Sequence, residues 1–214
     1  MAAPQTYTSA SALGAFASEF MEALALRRSL YDRAVRDQGS WRRAAVVVIV
    51  AALAADSLGL YSECDVFLAV FLGNWSLIPI MSLALGRWTF GTGASWLVCR
   101  ILGTDVPYGN LLRPAGYAHA AAAVQFLPAL VYWLDLMPVT PAMLSMVRWL
   151  AVPWLLAALT IAALAAGVAT LPRAGVAALV LFVAGNLFDV VLDELLRLLL
   201  GLSGTIPAPQ DGMG

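Results

Sequence analysis

The sequence contains no lysine: all twelve of its basic residues are arginine, and it has one histidine, His119, and two cysteines, Cys64 and Cys99. Each scarcity removes a class of chemistry. With a single histidine, any nucleophile–base scheme has to run through His119. The nearest serine arrangement, Gly93-Ala94-Ser95, sits inside an apolar run with no nameable oxyanion donors. Two cysteines without histidine partners, and outside any C-x-x-C pattern, make no zinc site. Glycine-rich phosphate loops and basic soluble stretches are also missing, which leaves no site for nucleotide or nucleic acid. The chain is therefore expected to be no enzyme, with no catalytic residue, metal or cofactor, and with His119 as an interfacial side chain.

Charge is scarce as well. Only 12% of residues are charged and 62% are hydrophobic, against roughly 25% and 45–50% in an ordinary soluble domain. The mean hydropathy of +0.85 points the same way. The apolar residues fall in blocks over 44–61, 77–102, 115–134, 146–169 and 174–202, each near or above the ~20 residues that cross a bilayer as a helix. A run such as AAVVVIVAALAA has no period of two, which excludes barrel strands. The expected fold class is all-α, an integral membrane bundle of five transmembrane helices.

The arginines orient it. Six of the twelve precede Ala44. With five spans and a cytoplasmic N-terminus, Arg27, Arg28, Arg33, Arg36, Arg42, Arg43, Arg100, Arg113 and Arg173 all reach the cytoplasmic face, as the positive-inside rule requires. Treating 66–76 as a sixth span would move Arg113 outside, so that stretch reads as interfacial, re-entrant or an outer extension of the second helix. Cys64 and Cys99 then face opposite sides and do not pair. The expected layout is a cytoplasmic region over 1–43, the five-helix domain over 44–202 and a flexible tail over 203–214. Residues 1–10 lack a cationic start, so the first apolar run is expected to stay as an anchor. Residues 11–36 read as one amphipathic helix with Leu13, Phe16, Phe20 and Leu24 on its apolar face and arginines in its last turns. Such a helix either lies along the anionic cytoplasmic leaflet or packs under the bundle as a cap.

Polar groups inside spans are costly and need partners. Asp56 lies in the first span; Asp189 and Asp193 lie four residues apart on one face of the fifth, with Glu194 beside them and Arg197 one turn on; and Arg87 and Arg148 break the positive-inside pattern. Three readings stay open for this polar cluster: a buried ion-pair network, a proton or cation path, or exposure at the outer interface. Trp75, Trp88, Trp133, Trp149 and Trp154 are expected toward the outer side as an aromatic belt, or as contacts for pigments, quinones or other subunits.

One segment, residues 96–120, reads WLVCRILGTDVPYGNLLRPAGYAHA. Gly103 ends a helix, Thr104, Asp105, Pro107 and Gly109 supply a turn, and Arg113 anchors the next span. Pro114 suits a first turn, Gly116 permits close helix approach, and Tyr117 suits interface depth with a wet hydroxyl. A headgroup or partner contact at Arg113 and Tyr117 is the functional alternative to plain anchoring. This order of residues resembles the bacterial branch of the Yip1 family of polytopic membrane proteins, together with Phe20 to Arg28, Trp41 to Ala44, Trp149 and Pro172 to Ala174. The resemblance implies a five-span all-α bundle with a cytosolic N-terminal region and a C-terminus on the opposite side, and no reaction. The chain has no D-L-Y-G-P segment, so the vesicle-traffic role of the eukaryotic branch is not implied.

The expected function is a scaffold, assembly or membrane-organising protein of a bacterial inner membrane, such as an accessory subunit of a larger complex, with the lipid bilayer and other membrane subunits as partners. The bacterial origin follows from the lysine-free, Ala- and Arg-rich composition. The alternative is a small transporter or ion-conducting bundle that uses the intramembrane carboxylates.

Overall fold

The computed structural model describes residues 9–56, 77–136, 138 and 140–199. Every regular element among them is helical, so the chain is all-α. Helices α1 (Ser9–Leu24), α2 (Arg28–Arg36) and α3 (Ser40–Asp56) precede α4 (Leu77–Ile101) and α5 (Tyr108–Ala118). A 3-10 segment (His119–Phe126) follows, then α6 (Leu127–Trp133), α7 (Pro141–Ala165) and α8 (Leu171–Leu199). The expected segment 66–76, Cys64, Trp75 and the tail over 203–214 lie outside the described residues.

Among the described residues, two helices are long and apolar enough to cross a membrane, by length and composition: Ala142–Ala165 in α7 and Leu171–Leu192 in α8. The other three expected spans take different forms. Helix α3 is described for 17 residues, and α4 runs for 25 but carries Arg87 and Arg100. The run expected as one helix over 115–134 is divided among α5, the 3-10 segment and α6. Proline explains the second division. Pro128 has no N–H to give the carbonyl of Val124, and the Leu127 N–H takes that carbonyl instead, which tightens the turn to 3-10. Pro114 is also placed differently: α5 begins at Tyr108, so Pro114 lies inside the helix rather than in its first turn.

Paired i→i−5 and i→i−3 hydrogen bonds around a left-handed residue close several helices. Gly103 (φ +74°) closes α4, with Thr104 N–H to Cys99 O at 2.9 Å and Gly103 N–H to Arg100 O at 3.0 Å. Gly167 (φ +106°) closes α7 in the same way through Ala163 and Leu164. Leu26 (φ +54°) closes α1, with Arg27 N–H to Glu22 O and Leu26 N–H to Ala23 O, both at 3.0 Å. The single amphipathic helix expected over 11–36 is therefore two helices. No glycine or proline announces the break; Leu26 accepts left-handed strain because its side chain packs against the main core.

Of the two placements open to this N-terminal pair, packing under the bundle is the one observed. Helix α2 lies against α5 and α7, and its Leu30, Tyr31 and Ala34 join the core formed by Ala44, Val47, Trp88, Tyr117 and Leu155. A second core gathers Cys99, Val106, Leu111, Ala163 and Val168 at the end of the bundle that carries the two glycine closures. Helices α4 and α8 run antiparallel in contact, and glycine sets their spacing. A Cβ on Gly91 would sit 2.6 Å from the Leu181 carbonyl oxygen, and one on Gly86 would sit 2.8 Å from the Phe188 ring.

Candidate functional site

The span half of the motif, with Arg113, Gly116 and Tyr117, is buried within the bundle, whereas the turn ahead of it is exposed at Gly103, Asp105 and Pro107. Arg113 is only 8% exposed. Its Nε donates to Gly109 O at 2.8 Å and its Nη2 to Asn110 Oδ1 at 2.7 Å, while Nη1 is buried without a hydrogen-bond partner among the described residues. Tyr117, expected to keep a wet hydroxyl, is 1% exposed and donates to Glu19 Oε2 at 2.9 Å. The α1–α2 cap covers it, a contact between residues 98 positions apart that local spacing does not reveal. Glu19 also pairs with Arg43 at 3.4 Å, and Arg43 reaches Asp37. One carboxylate thus ties the cap to the beginnings of α3 and the third expected span. Tyr31, fully buried beside this network, donates to Ala23 O at 3.3 Å, and burial pushes its phenol pKa well above the ordinary value. Gly116 does what its spacing suggests, since a Cβ there would lie 2.7 Å from Ala44 Cβ and 3.0 Å from Trp88 Cζ2.

The expected polar cluster is only partly within the described side chains. Arg87 donates from Nη2 to Asn186 Oδ1 at 3.0 Å, joining α4 to α8, and Asn186 Nδ2 donates to Phe182 O at 2.6 Å. Gly185 makes room for this contact, because a Cβ there would lie 3.1 Å from Arg87 Cγ. Asp189 follows Asn186 by three residues on α8, with Asp193, Glu194 and Arg197 in the turns beyond; Asp56 is the last residue of α3 and Arg148 lies in α7. Glu194 is exposed. The side chains of Asp56, Arg148, Asp189, Asp193 and Arg197 lie outside the described residues.

Arg87 and Asn186 line a partly open cavity of about 560 Å³ bordered by α3, α4, the 3-10 segment, α7 and α8. Its walls are mainly small aliphatic side chains, among them Ala51, Ala52, Ala55, Ala84, Ala122 and Ala151. His119 and Gln125 add polar groups. His119 is thus a cavity side chain rather than the interfacial one expected, and its Nδ1 lies 2.8 Å from Ala115 O. That contact places the proton of a neutral ring on Nδ1 and makes Nε2 an acceptor. The 3-10 geometry matters here: with three residues per turn, positions i, i+3 and i+6 eclipse. His119, Ala122 and Gln125 accordingly all line the cavity, as one row.

Sequence reasoning missed Asn186 and Gln125. The available signal was an amide within an apolar helix, which needs a partner for the same reason a charge does. The aromatic belt is also revised. Trp88 is 3% exposed, and its indole N–H donates to Leu112 O at 3.0 Å. Trp154 donates to Leu24 O at 3.1 Å, holding the cap. Trp149 is exposed on the surface of α7 at 76%. Ser95 is buried on α4, eight residues or about 12 Å of helix rise beyond Arg87. The geometry offers donors and acceptors within a largely apolar, partly open cavity, which suits recognition. Comparison with protein-family models, with curated proteins and with solved structures finds no match for the chain.

Proposed function

We propose that the chain is an integral membrane protein of five spans that acts as a scaffold or assembly subunit, holding partners or lipid in an inner membrane with its N-terminus cytoplasmic. The observation that carries this reading is the outward face of α7 and α8. Trp149, Val190 and Val191 are each at least 65% exposed, and Met146 and Leu187 on the same two helices, with Leu171 at the start of α8, are exposed as well. Large exposed apolar surfaces belong against lipid or another subunit. The likeness of residues 96–120 to the bacterial Yip1 family supports the same reading, as does the arginine-bearing cap packed at one end. The five-span arrangement takes the regions of α3, α4, α5 through α6, α7 and α8 as its spans.

A second reading, a small transporter or ion path, draws on the polar-lined cavity beside Arg87 and on the position of Asp189 one turn beyond Asn186. Gentle purification from the native membrane, followed by identification of bound subunits, tests the scaffold reading; a lone monomer with nothing bound overturns it. Asp193→Asn separates the two readings. Loss of assembly or stability supports the scaffold, whereas loss of flux in a protein that still assembles supports transport. For topology, Asp105→Cys and Asp135→Cys in a Cys64→Ser background test opposite ends, since both positions are exposed. The five-span reading requires labelling from the cytoplasmic side at 105 and from the outer side at 135.

A further inference from the structure

Protein interiors are packed to crystal-like density, and voids larger than a water molecule are few. A space of about 560 Å³ falls instead within the roughly 300–1,000 Å³ typical of small-molecule sites. Its origin is specific. The cavity borders α4 through Leu83, Ala84 and Arg87, with alanines facing it from α3, the 3-10 segment and α7. On the α8 side of the same helix, Gly91 meets the backbone at Leu181 and Gly185, and Gly86 admits the Phe188 ring. The helices are thus drawn together on one side of α4 and leave room on the other.

The polar groups are placed, not scattered. Arg87 is held by Asn186, which is itself held by Phe182 O, so the guanidinium has a fixed bearing. His119 lines the same cavity and also a small adjoining void with Arg87. Along the 3-10 row, Ala122 follows, and then Gln125, about 12 Å from His119 by a rise of about 2 Å per residue. The enclosure therefore has a polar end at Arg87 and His119, an apolar middle of alanines and a second polar group at Gln125. A guanidinium fork can serve several acceptors at once, and alanine walls accept hydrocarbon without orienting it.

We propose that this cavity binds a membrane-borne, single-chain amphiphile whose oxygen-acceptor head lies against the Arg87 guanidinium and whose apolar body lies along the alanine walls toward Gln125. The proposal rests on the membrane reading above. A carboxylate and an ester carbonyl share the required head chemistry, and the two are separated by experiment.

The full-length protein in phosphatidylcholine nanodiscs is exposed to a photoactivatable decanoic acid, and cross-linked peptides are located by mass spectrometry. Saturable labelling on α3 or the 3-10 segment is expected, competed by decanoic acid or methyl decanoate at least tenfold better than by decane. Stronger competition by the acid identifies a carboxylate head; equal competition by acid and ester identifies a neutral carbonyl, and either result supports the site. Arg87→Gln is expected to weaken competition by the headed probes at least tenfold. Because that variant also loses a helix–helix contact, Ala52→Phe and Ala122→Phe, which fill the space and keep every polar group, are expected to abolish labelling while eluting as the parent does. Labelling that does not saturate, that decane competes equally, or that persists in both filled variants overturns the proposal. If cysteine labelling at 105 and 135 gives the five-span pattern and saturable labelling is still absent, the ligand assignment alone fails. If the cysteine pattern fails, the membrane reading falls first.

Discussion

The two sides of α4 use small residues to opposite ends. Against α8, Gly91 and Gly185 let backbone approach backbone, and a Cβ on Gly91 would lie 2.6 Å from the Leu181 carbonyl oxygen; Gly86 admits the Phe188 ring. Toward α3, α7 and the 3-10 segment, Ala84 faces other alanines across an open volume. Side-chain volume is low in both places, yet one is a close backbone contact and the other borders a cavity of about 560 Å³. The difference is that the glycines lie where α4 and α8 already approach, whereas the alanines line the cavity that α4 shares with α3, α7 and the 3-10 segment. Low volume alone says neither "seam" nor "site"; the neighbours decide.

The largest effect should come from breaking the seam. Gly91→Val places a side chain against a backbone oxygen that cannot swing aside, and a loss of about 3 kcal/mol is expected, read as a lowered thermal midpoint and loss of a monodisperse peak. Ala52→Leu adds bulk in the cavity wall and should cost less than about 1 kcal/mol. Equal damage from the two would remove the contrast. The cap comes next. Tyr117→Phe leaves Glu19 without its buried hydroxyl donor and should cost about 2 kcal/mol, the scale of a hydrogen bond to a charged group, measured by unfolding in detergent.

Alkaline pH offers a finer test of the cap. Burial raises the Tyr31 phenol pKa in the folded state above its ordinary value. Its neutral form therefore contributes stability that is fully present below about pH 10 and is lost as pH rises from there through the folded-state value. Tyr31→Phe should flatten that alkaline decline by up to about 1.4 kcal/mol per pH unit, and an unchanged slope would mean that Tyr31 is not shielded as described. The smallest effect belongs to the exposed Arg28–Asp32 pair at 3.9 Å. Asp32→Asn should change stability by no more than about 0.5 kcal/mol, in clear contrast to the seam.

Much of the fold was legible because apolar run length and helix-ending glycines are local signals. Gly103 closes α4 as its position suggests, and the runs over 77–102 and 174–202 correspond to α4 and most of α8. The break at Leu26 was not legible, because a leucine in a left-handed conformation is tolerated only through packing that brings in distant residues. The site was legible only in part. Arg87 stood out as an arginine in an apolar run, but its partner Asn186 lies 99 residues away. His119 and Gln125 become neighbours on one face only because the chain adopts 3-10 rather than α geometry there.

By itself, the sequence determined that this protein is helical and strongly apolar, since hydropathy and turn chemistry act over a few residues. Only the tertiary structure decided that Arg113 and Tyr117 are interior, that Glu19 binds Tyr117, and that alanines from several helices enclose a space beside Arg87. Those outcomes depend on which faces meet across 98 or 99 residues of chain, and no local rule specifies that meeting.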